Sequence, residues 1–391
     1  MSPDAQKIEA IRQELPATRR WTFLNVGSFG PLPRVAHQAM QELAQQELEE
    51  GRLCPAFWEE YQRLKRELRE EIAHLLNAQP EEIALTHHTS EGMNIGTLGI
   101  DWRPGDEAIS TNVEHSAGLL PLYVVQRRFG VHIRFADLDM GGGDAVETMR
   151  QLITPRTRLI SLSHVSFSTG ALLPLQEIAA LAHQRGVLLL ADGAQAAGNI
   201  PVDVKRLRVD FYALSGQKWL CGPAGVGAFY VRRDQLPELE LTFASYASQE
   251  TYDHTGYFIP KPGAQRFEVA DLYAPALAGQ LAALRWLREE VGWDWIFTRV
   301  AELAAYARQL LEGLEGVRVL TPPNMAGLLH FQVEGIGDPE VLVQGLLKRD
   351  ILTRYISSPL PCARIAPSFY NTEEELEGLA CAVDEIRCEQ M

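Results

Sequence analysis

The stretch Asp210-Phe-Tyr-Ala-Leu-Ser215-Gly-Gln-Lys218-Trp-Leu-Cys-Gly222-Pro-Ala-Gly225-Val-Gly227 runs from an apolar segment through a lysine into a glycine-rich turn. Phe211 to Leu214 has the composition of a buried strand, and Ser215 places a small hydroxyl at its end. An amine just beyond such a strand, at the mouth of a sheet, is placed for Schiff-base chemistry with a carbonyl cofactor. A solvated surface charge is the competing interpretation, since most lysines are of that kind.

Outward from this stretch, short apolar runs recur with helical segments between them. Strands are expected near Ile83–Leu85, Glu107–Ser110, His132–Phe135, Leu159–Leu162 and Val187–Ala191, with helices such as Ser116–Arg128 and Pro174–Arg185 separating them. Helical spacing also covers Arg34–Glu50 and Phe57–Leu76. This alternation predicts an α/β fold with a mainly parallel sheet, whose ligands gather at the carboxyl ends of the strands. Past Ala270 the pattern changes to long Ala/Leu-rich helices, short strands near Val317–Leu320 and Leu328–Val333, and a last helix from Thr372. That predicts a large domain over residues 31–270 and a smaller α+β domain formed by 1–30 with 271–391. Gln249–Gln265, rich in Gly, Pro, Tyr and His, is expected to be a loop over the site.

Composition narrows the function. The 391 residues are 46% hydrophobic, enough for a sizeable core, and the net charge of −15 argues against nucleic acid or anionic membranes as partners. Cys54, Cys221, Cys362, Cys381 and Cys388 are odd in number and lack a CxxC pair, which predicts reduced thiols and no metal site. The N-terminal residues show no apolar signal core, and no run is long enough to span a bilayer, so a cytoplasmic protein is expected.

Four further segments carry candidate chemistry. In Val187-Leu-Leu-Leu-Ala-Asp192-Gly-Ala-Gln195, a strand ends in an aspartate suited either to capping a helix or to holding a proton on a ring nitrogen. Thr89-Ser90-Glu91-Gly92 opens a helix after a strand, as an ordinary helix start or a phosphate site would. His115 follows the run Ala108–Thr111 and is either a loop histidine or a ring that stacks on a cofactor. Arg364 arrives on a short apolar strand before Tyr370-Asn371-Thr372, suited to a surface ion pair or to two-point binding of a carboxylate.

Taken together and in this order, these residues resemble the class V, fold-type I pyridoxal-phosphate enzymes, which include cysteine desulfurases, cystine C–S lyases, isopenicillin-N epimerase-like proteins and several aminotransferases. The resemblance runs nearly end to end, from Phe23-Leu-Asn-Val-Gly-Ser-Phe-Gly-Pro-Leu-Pro33 to Glu385. It implies a seven-stranded-type sheet sandwiched by helices, pyridoxal 5'-phosphate as cofactor, and a homodimer with shared sites to which the segment 266–271 contributes. It implies that Lys218 carries the cofactor and shuttles the Cα proton, with Asp192 on the ring nitrogen, Gln195 on the phenolic oxygen and His115 on the ring face. Thr89, Ser90 and Ser215 are implied at the phosphate, Glu91 among the cofactor-binding residues, Arg364 at the substrate carboxylate and Asn25 at the substrate. Three positions depart from the pattern: Gln217 stands where the family usually has His, Asp271 where it usually has Thr, and Phe167 where desulfurases have Asn.

The reaction is narrowed by a missing residue. Desulfurases of this family carry a mobile acceptor cysteine before the carboxylate arginine, and here Leu352-Thr-Arg354-Tyr-Ile-Ser-Ser-Pro-Leu-Pro361 has none. Trp219-Leu-Cys-Gly-Pro-Ala-Gly-Val-Gly, Gly99-Ile-Asp-Trp102 and Gln265-Arg-Phe-Glu-Val-Ala270 are most similar to the cystine/cysteine C–S lyases. An amino-acid β-elimination is therefore expected. An aminotransferase, an epimerase, a desulfurase and a catalytically silent binding protein are the alternatives.

Overall fold

The structure is a computed structural model, and residues 3–390 are described; Met1, Ser2 and Met391 lie outside the described residues, so the reading of the extreme N-terminus is not addressed by it. The centre of the fold is a seven-stranded sheet. Its strands are β1 (Ile83–Thr86), β2 (Glu107–Thr111), β3 (His132–Ala136), β4 (Thr157–Ser163), β5 (Leu188–Asp192), β6 (Phe211–Ser215) and β7 (Gly227–Val231). The spatial order is β1-β7-β6-β5-β4-β2-β3. β3, β2, β4, β5 and β6 pair in parallel, while β7 runs antiparallel to both β6 and β1. The expected mainly parallel α/β sheet is thus present. β1, β2, β6 and β7 are buried along their whole length, as strands covered on both faces should be.

Helices cover both faces. α1 (Pro3–Glu14), α2 (Arg34–Glu50) and α3 (Pro55–Leu76) precede the sheet in the chain. α3 starts at Pro55, where a missing N–H costs nothing, and ends at Asn77 in a left-handed conformation with φ of 53°. Between those ends Phe57, Tyr61, Leu64, Leu68 and Ile72 form its buried stripe. α4 (Thr89–Leu98), α5 (Ser116–Phe129), α6 (Ala145–Leu152) and α7 (Leu175–His183) connect the strands, and α8 (Ala274–Trp286) packs against α2 and α3. Beyond α9 (Trp293–Glu312), a second sheet forms from β10 (Val317–Val319), β11 (Leu329–Val333), β12 (Arg354–Ile356) and β13 (Cys362–Ile365). It is antiparallel in the order β10-β11-β13-β12, and α9, α10 (Pro339–Leu347) and α11 (Glu373–Gln390) share its apolar core.

One strand goes beyond the expected set, and one expectation is corrected. β7 did not stand out in the sequence, because Gly227 closes the glycine-rich turn and the strand begins at that same residue. Gln249–Gln265 is not an irregular loop: β8 (Gln249–Tyr252) and β9 (Phe258–Pro260) pair as an antiparallel hairpin. The Asp253 carboxylate accepts from the Thr255 N–H at 2.8 Å and the Thr255 hydroxyl at 2.6 Å, closing a turn in which Gly256 takes φ of 96°. Among the described residues no helix is long and apolar enough to cross a membrane.

One buried ion cluster is bonded to the backbone of β1. Glu268 accepts from Lys65 Nζ at 2.8 Å, from the Arg69 guanidinium and from the Leu85 N–H at 3.2 Å, while Arg69 Nε donates to the Ile83 carbonyl at 3.1 Å. Burial opposes ionisation of Glu268, but the Arg69 and Lys65 charges outweigh it and hold the carboxyl below its usual range. The cluster ties α3 and the 264–268 turn to the strand that leads into α4. Glu268→Ala leaves two cations without their counter-charge and should lower stability by about 3–5 kcal/mol in urea unfolding. A loss below about 1 kcal/mol, the size of a surface pair, would contradict this account.

Candidate active site

Because β2, β4, β5 and β6 are parallel, the loops that follow them emerge at one edge of the sheet. β1 points the same way. Facing these loops are Gly27–Phe29 and, from the second sheet, Arg354–Ser358 and Arg364. The walls enclose a cavity of about 500 Å³.

Lys218 follows β6 and opens onto the cavity, with no hydrogen bond or ion pair to its amine among the described residues. Burial pushes its ammonium down to about 8; the Asp192 charge opposes that push and the Arg364 charge adds to it. Asp192 ends β5 and is 4% exposed. One of its oxygens accepts the Ala194 N–H at 2.9 Å, so the turn-capping role is real, and the side chain also lines the cavity. Gln195 is held from two sides: its amide donates to the Gly27 carbonyl at 2.8 Å and accepts from the Trp219 indole at 2.9 Å. A carboxamide has two N–H groups, so one remains for a ligand.

His115 caps α5, its Nδ1 accepting the Ala117 N–H at 3.1 Å, and its ring lines the cavity. That contact leaves Nε2 as the protonated nitrogen in the neutral ring. Burial pushes its pKa down; Asp192 opposes this, and Lys218 and Arg364 add to it. Its ring meets Phe167 edge-on with centroids 4.7 Å apart. At the start of α4, Thr89 Oγ1 donates to Ser215 Oγ at 2.9 Å, and Ser90 joins them on the cavity wall. Backbone N–H groups at this helix end and three hydroxyls form a cradle for an anion.

Arg364 is 3% exposed, and its partners are all neutral. It donates to Asn25 Oδ1 and Ser28 Oγ at 3.1 Å each and to the Phe167 carbonyl at 3.4 Å, while its buried Nε has no partner among the described residues. Burial pushes its pKa down to about 10, helped by Arg354, and at neutral pH it remains a cation. A buried guanidinium without a carboxylate is costly, and it is arranged here to receive one from a ligand.

Not every expected residue is gathered in. Glu91 is not among the residues that line the cavity: its carboxylate accepts the His87 N–H at 2.7 Å and meets His87 Nδ1 at 2.7 Å, a local contact at the helix start. Asn25 does not line the cavity but holds Arg364. None of Gln249–Gln265 lines it either. Conversely, Gly27 and Ser28, in the same N-terminal loop as Asn25, do line it. A Cβ on Gly27 would lie 3.1 Å from Gln195 Oε1 and 3.2 Å from an Arg364 nitrogen, so the chain needs glycine to pass between them. The glycine spacing of Gly27-Ser-Phe-Gly30 was the available signal.

Comparison with known proteins follows the same lines. The cystine C–S lyase C-DES has been solved with its reaction product cysteine persulfide. That structure superposes with a TM-score of 0.90 at 33% identity, covering 95% of this chain and 99% of that one. A C-DES mutant with glycine covalently linked to its PLP cofactor gives a TM-score of 0.91 at 33% identity, covering 96% and 99%. Isopenicillin N epimerase of Streptomyces clavuligerus is 31% identical over 93% of this chain and 94% of its own. A probable cysteine desulfurase of Xylella fastidiosa (strain 9a5c) is 30% identical over 81% of this chain and 78% of its own. The model of the class-V aminotransferases matches residues 28–379, and to that family this chain belongs.

Proposed function

We propose that this chain is a pyridoxal-phosphate-dependent C–S lyase that cleaves cystine or cysteine by β-elimination, working as a cytoplasmic homodimer. The observation that carries the reading is the placement of two groups in one cavity: an amine with a lowered pKa and a buried arginine, neither paired with a carboxylate among the described residues.

The residues present fit the cofactor. Thr89, Ser90 and Ser215 with the N-terminus of α4 would take its phosphate, Asp192 its ring nitrogen, the free N–H of Gln195 its phenolic oxygen, and His115 one face of the ring. When bound, pyridoxal phosphate supplies a carbonyl that condenses with amines and a pyridine that accepts the electron pair left at the substrate Cα. Asp192, buried at the end of β5, would hold a proton on that ring nitrogen. Arg364 binds the substrate carboxylate in two-point fashion, with Asn25, Ser28 and Phe167 fixing its plane. Lys218 takes the Cα proton, and its lowered pKa gives it a larger neutral fraction near pH 7 than an ordinary lysine has.

Two features favour elimination over sulfur transfer to the protein. No cysteine lies in Leu352–Pro361, and Cys362 is buried on β13 with its thiol pushed up to about 12 by burial. A thiolate acceptor is therefore not to hand. The likeness to C-DES supports the same choice. Support for association comes from Phe243, Tyr246, Tyr252, Tyr257, Phe258 and Tyr273, large apolar groups left exposed along 243–273.

Cystine supplied to the cofactor-loaded protein, without any 2-oxo acid, should yield pyruvate, ammonia and cysteine persulfide, with the Cβ–S bond broken and one water consumed per turnover. Alanine as product would identify a desulfurase, and a D-amino acid an epimerase; either would overturn the lyase reading. Sedimentation equilibrium should return about twice the chain mass. A monomer at catalytic concentrations would remove the homodimer from the proposal.

A further inference from the structure

Directly before His115 stands Glu114, a carboxyl with 8% exposure and no ion-pair partner among the described residues. An acid buried without a cation is costly unless hydrogen bonds replace its water. Three do so here. Thr111 Oγ1 donates to Oε1 at 2.9 Å, the Ser163 N–H donates to the same oxygen at 2.9 Å, and Ser163 Oγ donates to Oε2 at 2.6 Å. Thr111 is the last residue of β2 and Ser163 the last of β4, and Ser163 stands in register with Asp192 on β5.

The other neighbours are neutral. A Cβ on Gly118 of α5 would lie 3.7 Å from Glu114 Oε2 and 3.7 Å from Met93 Cε of α4. Among the charged groups, Asp192 on β5 acts on Glu114 through its field. Burial pushes the Glu114 carboxyl up to about 7; the donated bonds from Ser163 and Thr111 oppose this, and Asp192 adds to it. All three contacts are donated to Glu114, so the cradle is built for its ionised form, and a cation bound against Asp192 would favour that form further.

We propose that Glu114 is a positioning residue of this site: its carboxylate clips the ends of β2 and β4 together, fixes where His115 and Asp192 stand, and adds a second negative charge behind Asp192. The inference rests on the cofactor reading above, because His115 and Asp192 act on a bound ring. It accounts for a buried acid that touches neither the cavity nor a base and yet joins the strand ends that bear the site.

Glu114→Gln and Glu114→Asp, each loaded with pyridoxal phosphate, test it beside the wild type. Negative charge favours protonated forms of the bound cofactor, so Glu114→Gln should lower the pH midpoint of its visible band by about half a unit or more. Its kcat should fall about ten- to a hundredfold at nearly constant KM, with cofactor still bound. Glu114→Asp keeps the charge on a shorter arm, so it should restore the pH midpoint but not kcat. A folded, loaded Gln variant with the wild-type midpoint and kcat overturns the role. If the Gln variant does not fold, wild-type kcat from the Asp variant overturns it instead. Wild-type protein that takes up no pyridoxal phosphate overturns the cofactor reading, and the role of Glu114 with it. Normal uptake by the wild type confines any failure to Glu114.

Discussion

The site depends on the register of three adjacent parallel strands. Ser163 stands opposite Asp192, and Asp192 opposite Ala213, so β4, β5 and β6 reach the same level side by side. Ser215 lies two residues beyond Ala213, and Lys218 three beyond that. A strand slipped by one residue would turn Asp192 to the opposite face and take the carboxylate from the cavity. Register is held by burial on both faces: Leu189, Leu190, Ala191, Phe211, Tyr212, Ala213 and Leu214 are all at most 1% exposed. The hydrophobic packing that stabilises the sheet therefore also sets the geometry of the charged groups at its edge.

Those charged groups are arranged for a ligand and not for one another. Arg364 is surrounded by an amide oxygen, a hydroxyl and a carbonyl, and the amine of Lys218 has no partner among the described residues. Such a site stores unfavourable desolvation that a bound anion relieves, which is the physical content of preorganisation. The contrast with Glu268 is instructive. There two cations meet one carboxylate inside the protein, and the cluster serves structure. In the cavity the anion that matches Arg364 is left to come from outside.

Much of this was legible in the sequence. The strands that read clearly, such as Phe211–Leu214 and Val187–Ala191, are unbroken apolar runs of the kind a doubly covered parallel sheet requires. Lys218, Asp192, His115, Thr89 and Ser215 each lie within a few residues of such a run's end, and it is their joint resemblance to a family pattern, not any one of them alone, that singled them out. What was not legible is tertiary. β7 begins at a turn glycine, and its antiparallel place between β6 and β1 follows from no local signal. Glu91 has the type and position of a site residue, but His87, four residues earlier, claims its carboxylate. Asn25 was expected at the substrate, but its bond to Arg364, like that of Ser28, joins residues more than 330 apart in the chain and shows only in the fold. The hairpin at Gln249–Tyr252 and Phe258–Pro260 looked irregular because its turn chemistry dominates its composition.

The central claim is that Lys218 is the amine through which this chain carries its cofactor. Borohydride reduction of the protein loaded with pyridoxal phosphate, followed by peptide mass spectrometry, tests it most directly. The account predicts one pyridoxyl-modified residue per chain, Lys218, with the modification and the yellow colour both lost in Lys218→Ala. Modification of another lysine, or none in a protein that has been exposed to the cofactor, would contradict it.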